Sequence, residues 1–380
     1  MAEPEYRTPG QLIQHLLKER GWPQFVLAAV LGRSQQTVSM LLKGKAPVTA
    51  ELAVKLEQVF DVKAERFVEL EAAFALRQAR DFALVAPDGA LARRAALFSA
   101  LPLTEMAKRG WISVEDLRDA EAVESELARF FSVENTSEIP VSAFAAKKTG
   151  DDPTMTPIQL AWLYRARQVA GAMLAKPYSQ AGLRDALKEL RGLLKDVTAV
   201  RFVPRVLLDC GVRFVAVEAL AGSKIDGVCF WLDEAPVVTL SLRLDRIDNF
   251  WFVLRHEIEH ALRGDGRSSD VVIDSELERK GPDPAIAEQE RIANAAALDF
   301  CVPSKEMASF YARKRPFFYD RDIVNFASRI GVHPGLVAGQ IRHRLQRWDM
   351  FRDLLVPVRS AVLPNARSDG WGHVAPVVAQ

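Results

Sequence analysis

Two histidines four residues apart, with a glutamate directly after the first, stand in the segment FWFVLRHEIEHALRG, residues 250–264. On an α-helix each residue turns about 100°, so positions i and i+4 lie on one face. His256 and His260 can therefore direct imidazole nitrogens at a common ion. Glu257 lies about 100° round the helix, where its carboxylate can reach a water molecule beside the ion without being a ligand. This division of roles is typical of zinc-dependent peptide hydrolysis, with the glutamate as general base.

The alternative is an ordinary amphipathic helix that carries two incidental histidines. The chain has only six histidines, and we estimate that a chance H-E-x-x-H pattern would arise in roughly one such chain in a hundred. Apolar residues also recur along the segment at helical spacing, so one face of the helix can pack and hold the histidines in place. We therefore predict a bound Zn²⁺ ion.

A catalytic zinc site needs a third protein ligand and an open position. The later segment AIAEQERIANAAALDFCVP places Glu290 and Asn294 four residues apart, on one helix face. We predict that Glu290 is the ligand and that Asn294 hydrogen-bonds to nearby backbone. Glu288 is the competitor, although it faces almost the opposite side of the helix. The weaker candidates are Asp270, Asp274 and Cys301.

Two of these segments, LRHEIEHAL and EQERIANAAALDFCVP, together resemble the ImmA/IrrE family of metallopeptidases, and the likeness extends over roughly residues 180–340. The resemblance implies a zincin-like domain in which His256, His260 and Glu290 bind zinc and Glu257 is the catalytic base. It also implies a protein substrate, such as a repressor or a partner encoded in a toxin operon.

A second candidate site lies near the N-terminus, in the run PQFVLAAVLGRSQQTVSMLLKGK, residues 23–45. Gly32 suits the turn of a helix-turn-helix, and the helix after it would then expose its first residues. Glutamine can pair bidentately with adenine, so this end of the helix is suited to base recognition. The residues predicted to contact bases are Gln35, Gln36 and Thr37, and those predicted to contact phosphates are Ser39, Lys43 and Lys45. The alternative is a plain helical bundle with a polar face.

Residues 8–75 also resemble the Cro/C1-type DNA-binding domains, and the runs TPGQLIQHLLKERG and VTAELAVKLEQVF are most similar to the HigA antidote branch. The resemblance implies binding to double-stranded operator DNA, usually as a homodimer, and repression of the chain's own operon.

The elements that must position these residues change in type along the chain. Helical spacing dominates up to about residue 175, and then three β-branched or aromatic runs, VRFVAVE, GVCFWL and PVVTLSL, predict strands. We expect Lys224, Asp226 and Gly227 to form a turn, with a substrate contact as the alternative. We also expect Asp245 to cap the helix that carries the histidines.

We therefore predict an α+β fold in four parts. These parts are an all-α helix-turn-helix domain at 1–80, a helical connecting region at 81–175, a zincin-like metallopeptidase domain with a small three-stranded sheet at 176–310, and a C-terminal helical extension at 311–380. The last stretch, NARSDGWGHVAPVVAQ, is expected to be irregular.

Composition limits the compartment and the mode of DNA binding. The formal net charge is +1 over 380 residues, so nucleic-acid binding must come from a local patch. Three widely spaced cysteines favour a reducing compartment over a disulfide framework. The sequence shows neither a secretory signal nor an uncharged apolar run near 18 residues. We expect a soluble, cytoplasmic protein with no membrane partner.

Two hypotheses about function follow. The first is a DNA-binding transcriptional regulator with a zinc-dependent peptidase domain that cleaves a regulatory protein. The second is an antitoxin-like autorepressor that uses the zincin domain as a non-catalytic scaffold for a toxin or another ligand. Glu257 separates the two hypotheses, because only the first requires its carboxylate.

Overall fold

The structure is a computed structural model, and it describes residues 6–85, 89–139, 156–265, 267, 273–275 and 284–376. Contacts between residues divide the chain into two compact units, 1–92 and 93–380. Unit 1 has one apolar core, and unit 2 has two.

Unit 1 is a bundle of short helices, as the spacing of its apolar residues predicts. Its helices are α1 (Pro9–Glu19), α2 (Gln24–Val30), α3 (Gln35–Leu42), α4 (Ala50–Phe60) and α5 (Ala64–Val85). Three of these helices are capped at the N-terminus by a hydroxyl side chain. Thr8, Ser34 and Thr49 each accept a hydrogen bond from a backbone N–H of the first turn. The core is built from buried side chains of all five helices, among them Leu12, Leu27, Val38, Leu56 and Phe67.

Helix α6 (Gly89–Ala100) follows, and unit 2 combines many helices with one sheet. The helices ahead of the sheet are α7 (Leu103–Lys108), α8 (Ala120–Phe131), α9 (Pro157–Gly171), α10 (Gln180–Leu193) and α11 (Val203–Asp209). The later helices are α12 (Ile247–Arg263), α13 (Pro284–Cys301), α14 (Ser304–Lys314), α15 (Asp320–Ile330), α16 (Pro334–Leu345) and α17 (Arg359–Val362).

The sheet contains the three predicted strands and two short ones that the sequence did not suggest. Its strands are β1 (Arg213–Val217), β2 (Ile225–Leu232), β3 (Ala235–Leu240), β4 (Ile273–Ser275) and β5 (Arg367–Asp369), in the order β4-β2-β3-β1-β5. β1 pairs in parallel with β3 and β5, whereas β2 pairs antiparallel with β3 and β4. The prediction of a three-stranded sheet is therefore wrong, because the segments IDS and RSD are too short and polar to show a strand pattern.

Both faces of the sheet are buried, which explains the nearly continuous apolar runs of its central strands. Side chains alternate between the faces. Phe214 and Ala216 of β1 pack in one core with α12, while Val215 and Val217 pack in another core with α9. The helix that carries the two histidines is thus held against one face of the sheet.

The prediction of an irregular stretch after residue 364 is wrong for Arg367–Asp369, which form β5. Asp369 of β5 is buried and accepts hydrogen bonds from Trp111 Nε1 at 2.7 Å and Arg165 Nη2 at 2.5 Å. Both donors come from helices and loops far back in the chain, so local spacing could not reveal this strand.

The described part of the chain holds no single helix that is long and apolar enough to cross a membrane. The bent pair α2 and α3, whose axes differ by 114°, passes the same test of length and composition only when the two are joined.

Candidate metal centre and nucleic-acid interface

The pattern H-E-x-x-H lies on α12, and its three polar side chains are buried. His256, Glu257 and His260 are 0 %, 2 % and 5 % exposed. The apolar side chains of α12, such as Phe250 and Ile258, fill the core against the sheet and fix the rotation of the helix. The helix begins after Arg246 without a side-chain cap.

The prediction that Asp245 caps this helix is wrong. Its Oδ1 instead accepts the backbone N–H groups of Val358 and Arg359, both at 2.8 Å. Asp245 therefore ties the segment before α12 to the segment that begins α17, a long-range contact that no local pattern indicates.

Helix α13 packs along α12 and brings the third predicted ligand to the two histidines. The Nε2 atoms of His256 and His260 are 3.1 Å apart. Glu290 places Oε2 at 3.2 Å from Nε2 of His256 and Oε1 at 3.4 Å from Nε2 of His260. The three side chains therefore converge on one point, and Glu290, 26 % exposed, is the member nearest to solvent.

Each imidazole has an acceptor on its other side. His256 Nδ1 lies 3.0 Å from Asn294 Oδ1, and His260 Nδ1 lies 3.0 Å from Asp265 Oδ2. An acceptor at Nδ1 holds the ring proton there and leaves the Nε2 lone pair directed at the common point. The structure thus places the Asn294 oxygen at His256, whereas the sequence predicts a hydrogen bond to nearby backbone. Sequence reasoning missed Asp265, whose only signal was its position just past the end of α12.

The donor set fits a cation. Two Nε2 lone pairs and a carboxylate face each other at 3.1–3.4 Å, an arrangement that needs positive charge at its centre. The corners of a tetrahedral zinc site with bonds of about 2.0–2.1 Å lie roughly 3.3 Å apart, which agrees with these separations. The donor types, imidazole and carboxylate, are those of catalytic zinc sites.

The pKa values of the ligand side chains also indicate that the centre favours positive charge. Burial disfavours a charged imidazole, but Glu290, Glu257 and Asp265 together raise the pKa of His260 to about 9. Burial likewise disfavours a charged carboxylate, yet the two histidines lower the pKa of Glu290 to about 2. The cluster therefore stabilises a cationic centre beside an ionised carboxylate.

Two of the competing ligands, Glu288 and Cys301, have other surroundings. Glu288 is exposed and forms an ion pair with Arg291 at 2.6 Å. Cys301 is buried in the apolar core, and this burial raises the pKa of its thiol. Asp274 lies in β4, whose backbone pairs with β2, and Asp270 lies outside the described residues. Glu290 is thus the carboxylate that accompanies the histidines within the described residues.

Glu257 points toward the sheet beside Gly227. A Cβ at position 227 would stand 2.9 Å from Glu257 Oε1 and 2.6 Å from Val253, so glycine is the residue that leaves room for the carboxylate. The prediction of a turn here is wrong for Asp226 and Gly227, which belong to β2. Only Lys224, with φ of 51°, has a turn-like backbone conformation.

The predicted DNA-contacting residues lie on or just after α3. Gln35 and Gln36 are exposed at its first turn, whereas Val38, Leu41 and Leu42 are buried. The Thr37 hydroxyl is 2.8 Å from the Ser34 hydroxyl and so takes part in the helix cap. The two exposed glutamines are therefore the side chains best placed to contact bases. Thr37 is half-buried and is less accessible to DNA.

The predicted phosphate contacts occupy the far end of the same helix. Lys43 follows the last residue of α3 and is exposed, as is Lys45, while Ser39 is half-buried. The bend of 114° between α2 and α3 lies in the range of about 90–120° that is typical of helix-turn-helix motifs.

Comparison with known families agrees with this geometry. Residues 13–67 match the family model described as helix-turn-helix, of the Cro/C1 type. The chain contains a helix-turn-helix DNA-binding domain. This match supports a DNA-binding transcriptional regulator whose partner is double-stranded DNA. No curated protein matches the chain.

Proposed function

We propose that this chain is a transcriptional regulator whose unit 2 is a zinc-dependent peptidase of the ImmA/IrrE kind, with a zincin-like fold, and that it cleaves a regulatory protein. The observation that carries the proposal is the convergence of His256, His260 and Glu290, with three donor atoms 3.1–3.4 Å apart. Zinc is proposed because this donor set matches catalytic zinc sites more closely than structural ones.

The reaction needs a polarised carbonyl and an activated water molecule. When bound, zinc supplies Lewis acidity to the carbonyl oxygen and to water. Glu257, buried beside the centre, takes a proton from the attacking water and passes it to the amine that leaves. With the ion bound, His256 and His260 would be neutral rings that carry their one proton on Nδ1, where Asn294 and Asp265 accept it.

The two units would then serve one regulatory purpose. Unit 1 binds operator DNA through α3, we propose as a homodimer, because operators recognised by such motifs are usually two-fold symmetric. Unit 2 removes a protein that acts at the same operon. The four-part division of the chain, at residues 80, 175 and 310, remains a prediction.

The experiment compares the zinc-loaded full-length protein with Glu257→Gln, each incubated with the protein products of neighbouring genes. Wild type should produce fragments, and Glu257→Gln should lower the rate of cleavage by about 10²–10⁴-fold while it keeps the metal, because it removes only the proton acceptor. Glu259→Gln is the matched control, since Glu259 lies on the same helix but forms an ion pair with Arg255 at 2.7 Å.

The outcomes separate the two hypotheses. Fragments that form equally with both proteins would contradict the role of Glu257. If none of these proteins is cleaved while one of them binds unit 2 with equal affinity in both variants, the antitoxin-like scaffold becomes the better account.

A further inference from the structure

A cavity of about 560 Å³ lies beside α12 and α13, the helices that carry the proposed metal ligands. Three of its lining residues indicate that it lies near the centre. Asn294 holds His256 Nδ1 at 3.0 Å, the Phe252 ring lies 6.2 Å from the His256 ring, and Asp226 precedes the glycine that faces Glu257. Cavities of about 300–1,000 Å³ are typical of sites for small ligands.

The cavity continues along the faces of α12 and α13 that carry the ligands. Asn249 and Phe252 precede His256 on α12 by seven and four residues, and both line the cavity. On α13, Asn294 and Leu298 follow Glu290 at steps of four residues and line it from the other side. Because i and i+4 share a helix face, the cavity lies along the same faces of the two helices as the metal ligands.

Asp226 is an unusual residue in this cavity. The pairing of β2 with β4 shifts register between Ile225 and Gly227, so Asp226 is an extra residue in the strand. Such bulges commonly redirect a side chain next to an active site. Asp226 is 8 % exposed, and its Oδ2 accepts a hydrogen bond from Arg243 Nη2 at 2.8 Å.

The other oxygen, Asp226 Oδ1, is buried and has no hydrogen-bond partner among the described residues. A buried carboxylate oxygen without a donor is energetically unfavourable, so its presence points to a donor that arrives with a ligand.

The rest of the lining indicates what kind of ligand fits. The charges are balanced in pairs, since Arg243 binds Asp226 and Arg246 binds both oxygens of Asp248. The rest of the wall combines apolar and polar side chains, namely Leu244, Phe252, Leu298, Leu336 and Trp348 with Asn249, Asn294, Gln340, His343 and Gln346. An uncharged, mainly apolar side chain with a hydrogen-bond donor at its end satisfies both features.

We propose that this cavity is the subsite for the substrate side chain next to the cleaved bond, and that Asp226 Oδ1 selects side chains with a terminal donor, such as tyrosine. This proposal rests on the proposed function, because it needs the metal centre beside the cavity. Asp226 acts here as a specificity-determining residue and takes no part in bond cleavage.

The test measures the binding of three hydroxamates to the zinc-loaded full-length protein by calorimetry. Acetohydroxamate tests the metal centre alone. The N-acetyl hydroxamates of phenylalanine and tyrosine differ by one hydroxyl group and test the subsite. The tyrosine compound should bind about 10-fold more tightly than the phenylalanine compound, as expected for one hydrogen bond to a carboxylate.

Two variants and one control locate this preference. Asp226→Leu should abolish it, because leucine is similar in size and has no hydrogen-bonding atom in its side chain, whereas an asparagine NH₂ could still donate to the phenol oxygen. Asp248→Asn is the control and should keep it, since Arg246 already engages both oxygens of Asp248. Leu298→Trp, at the exposed rim, should weaken both aromatic compounds about 10-fold and leave acetohydroxamate unchanged.

The outcomes distinguish the two proposals. If acetohydroxamate binds but the two aromatic compounds bind equally, or if Asp226→Leu keeps the preference, the subsite proposal is overturned and the metal centre stands. If acetohydroxamate does not bind, the proposed metal centre is wrong, and the subsite falls with it.

Discussion

The interface on α3 and the centre on α12 and α13 are built in opposite ways. The residues proposed to meet DNA form one short run, from Gln35 to Lys45, and most of them are exposed. The proposed metal ligands come from two helices, His256 and Glu290 are 34 positions apart, and both histidines are buried. A surface can thus be built on one local element, whereas a buried centre needs partners from distant parts of the chain.

The largest effect expected from this contrast is the loss of a ligand at the buried centre. Glu290→Ala should weaken zinc binding by more than about 100-fold, because losing a direct ligand should exceed the 10–100-fold cost of losing an outer contact. Zinc affinity measured against a competing chelator provides the check. Glu288→Ala, which removes an exposed carboxylate two residues away, should leave the affinity unchanged.

The contacts behind the histidines should matter next. Asn294→Ala and Asp265→Ala each remove an acceptor from Nδ1 of a ligand, so each should weaken zinc binding by about 10–100-fold. The same chelator competition measures this loss. Unchanged affinity in both variants would mean that the imidazoles are oriented by packing alone.

At the exposed surface the expected losses are smaller and concern sequence selectivity. Replacing Gln35 and Gln36 with alanine should lower the discrimination between operator and mismatched DNA by about 1–3 kcal/mol per base contact. Binding to matched and unrelated duplexes, compared at one salt concentration, tests it. Equal weakening on all duplexes would show that the glutamines do not contact bases.

The smallest effect is expected from a single phosphate contact. Lys43→Ala should weaken binding uniformly across sequences and reduce the slope of log affinity against log salt by about 1. A salt titration of wild type and variant measures the slope. Lys63→Ala, an exposed lysine at the start of α5, is the control and should leave the slope as it is.

Sequence patterns predicted the local elements of both regions. Helical spacing and cap residues indicated the helices of unit 1, and the family match at residues 13–67 confirms the helix-turn-helix. In unit 2 the spacing of His256 and His260 indicated a shared face, and the structure brings Glu290 to them. The helices and the shared face of the two histidines depend on residue spacing within a single helix. The third ligand was predictable because few kinds of site combine two histidines with a glutamate.

What the sequence did not show depends on contacts between distant segments. Asp265 reaches back to His260, Gly227 leaves room for Glu257, and Asp245 binds a segment more than 100 residues later. The strand that contains Asp369 is formed only because its neighbours supply pairing and buried donors. A glycine or an aspartate has no local pattern that would reveal such a partner.

The central claim is that His256, His260 and Glu290 hold one zinc ion, and the direct test is elemental analysis of the full-length protein purified without added metal. Wild type should contain about one zinc ion per chain, and the double variant His256→Ala, His260→Ala should contain essentially none. Wild type without zinc, or the same zinc content in both proteins, would contradict the claim.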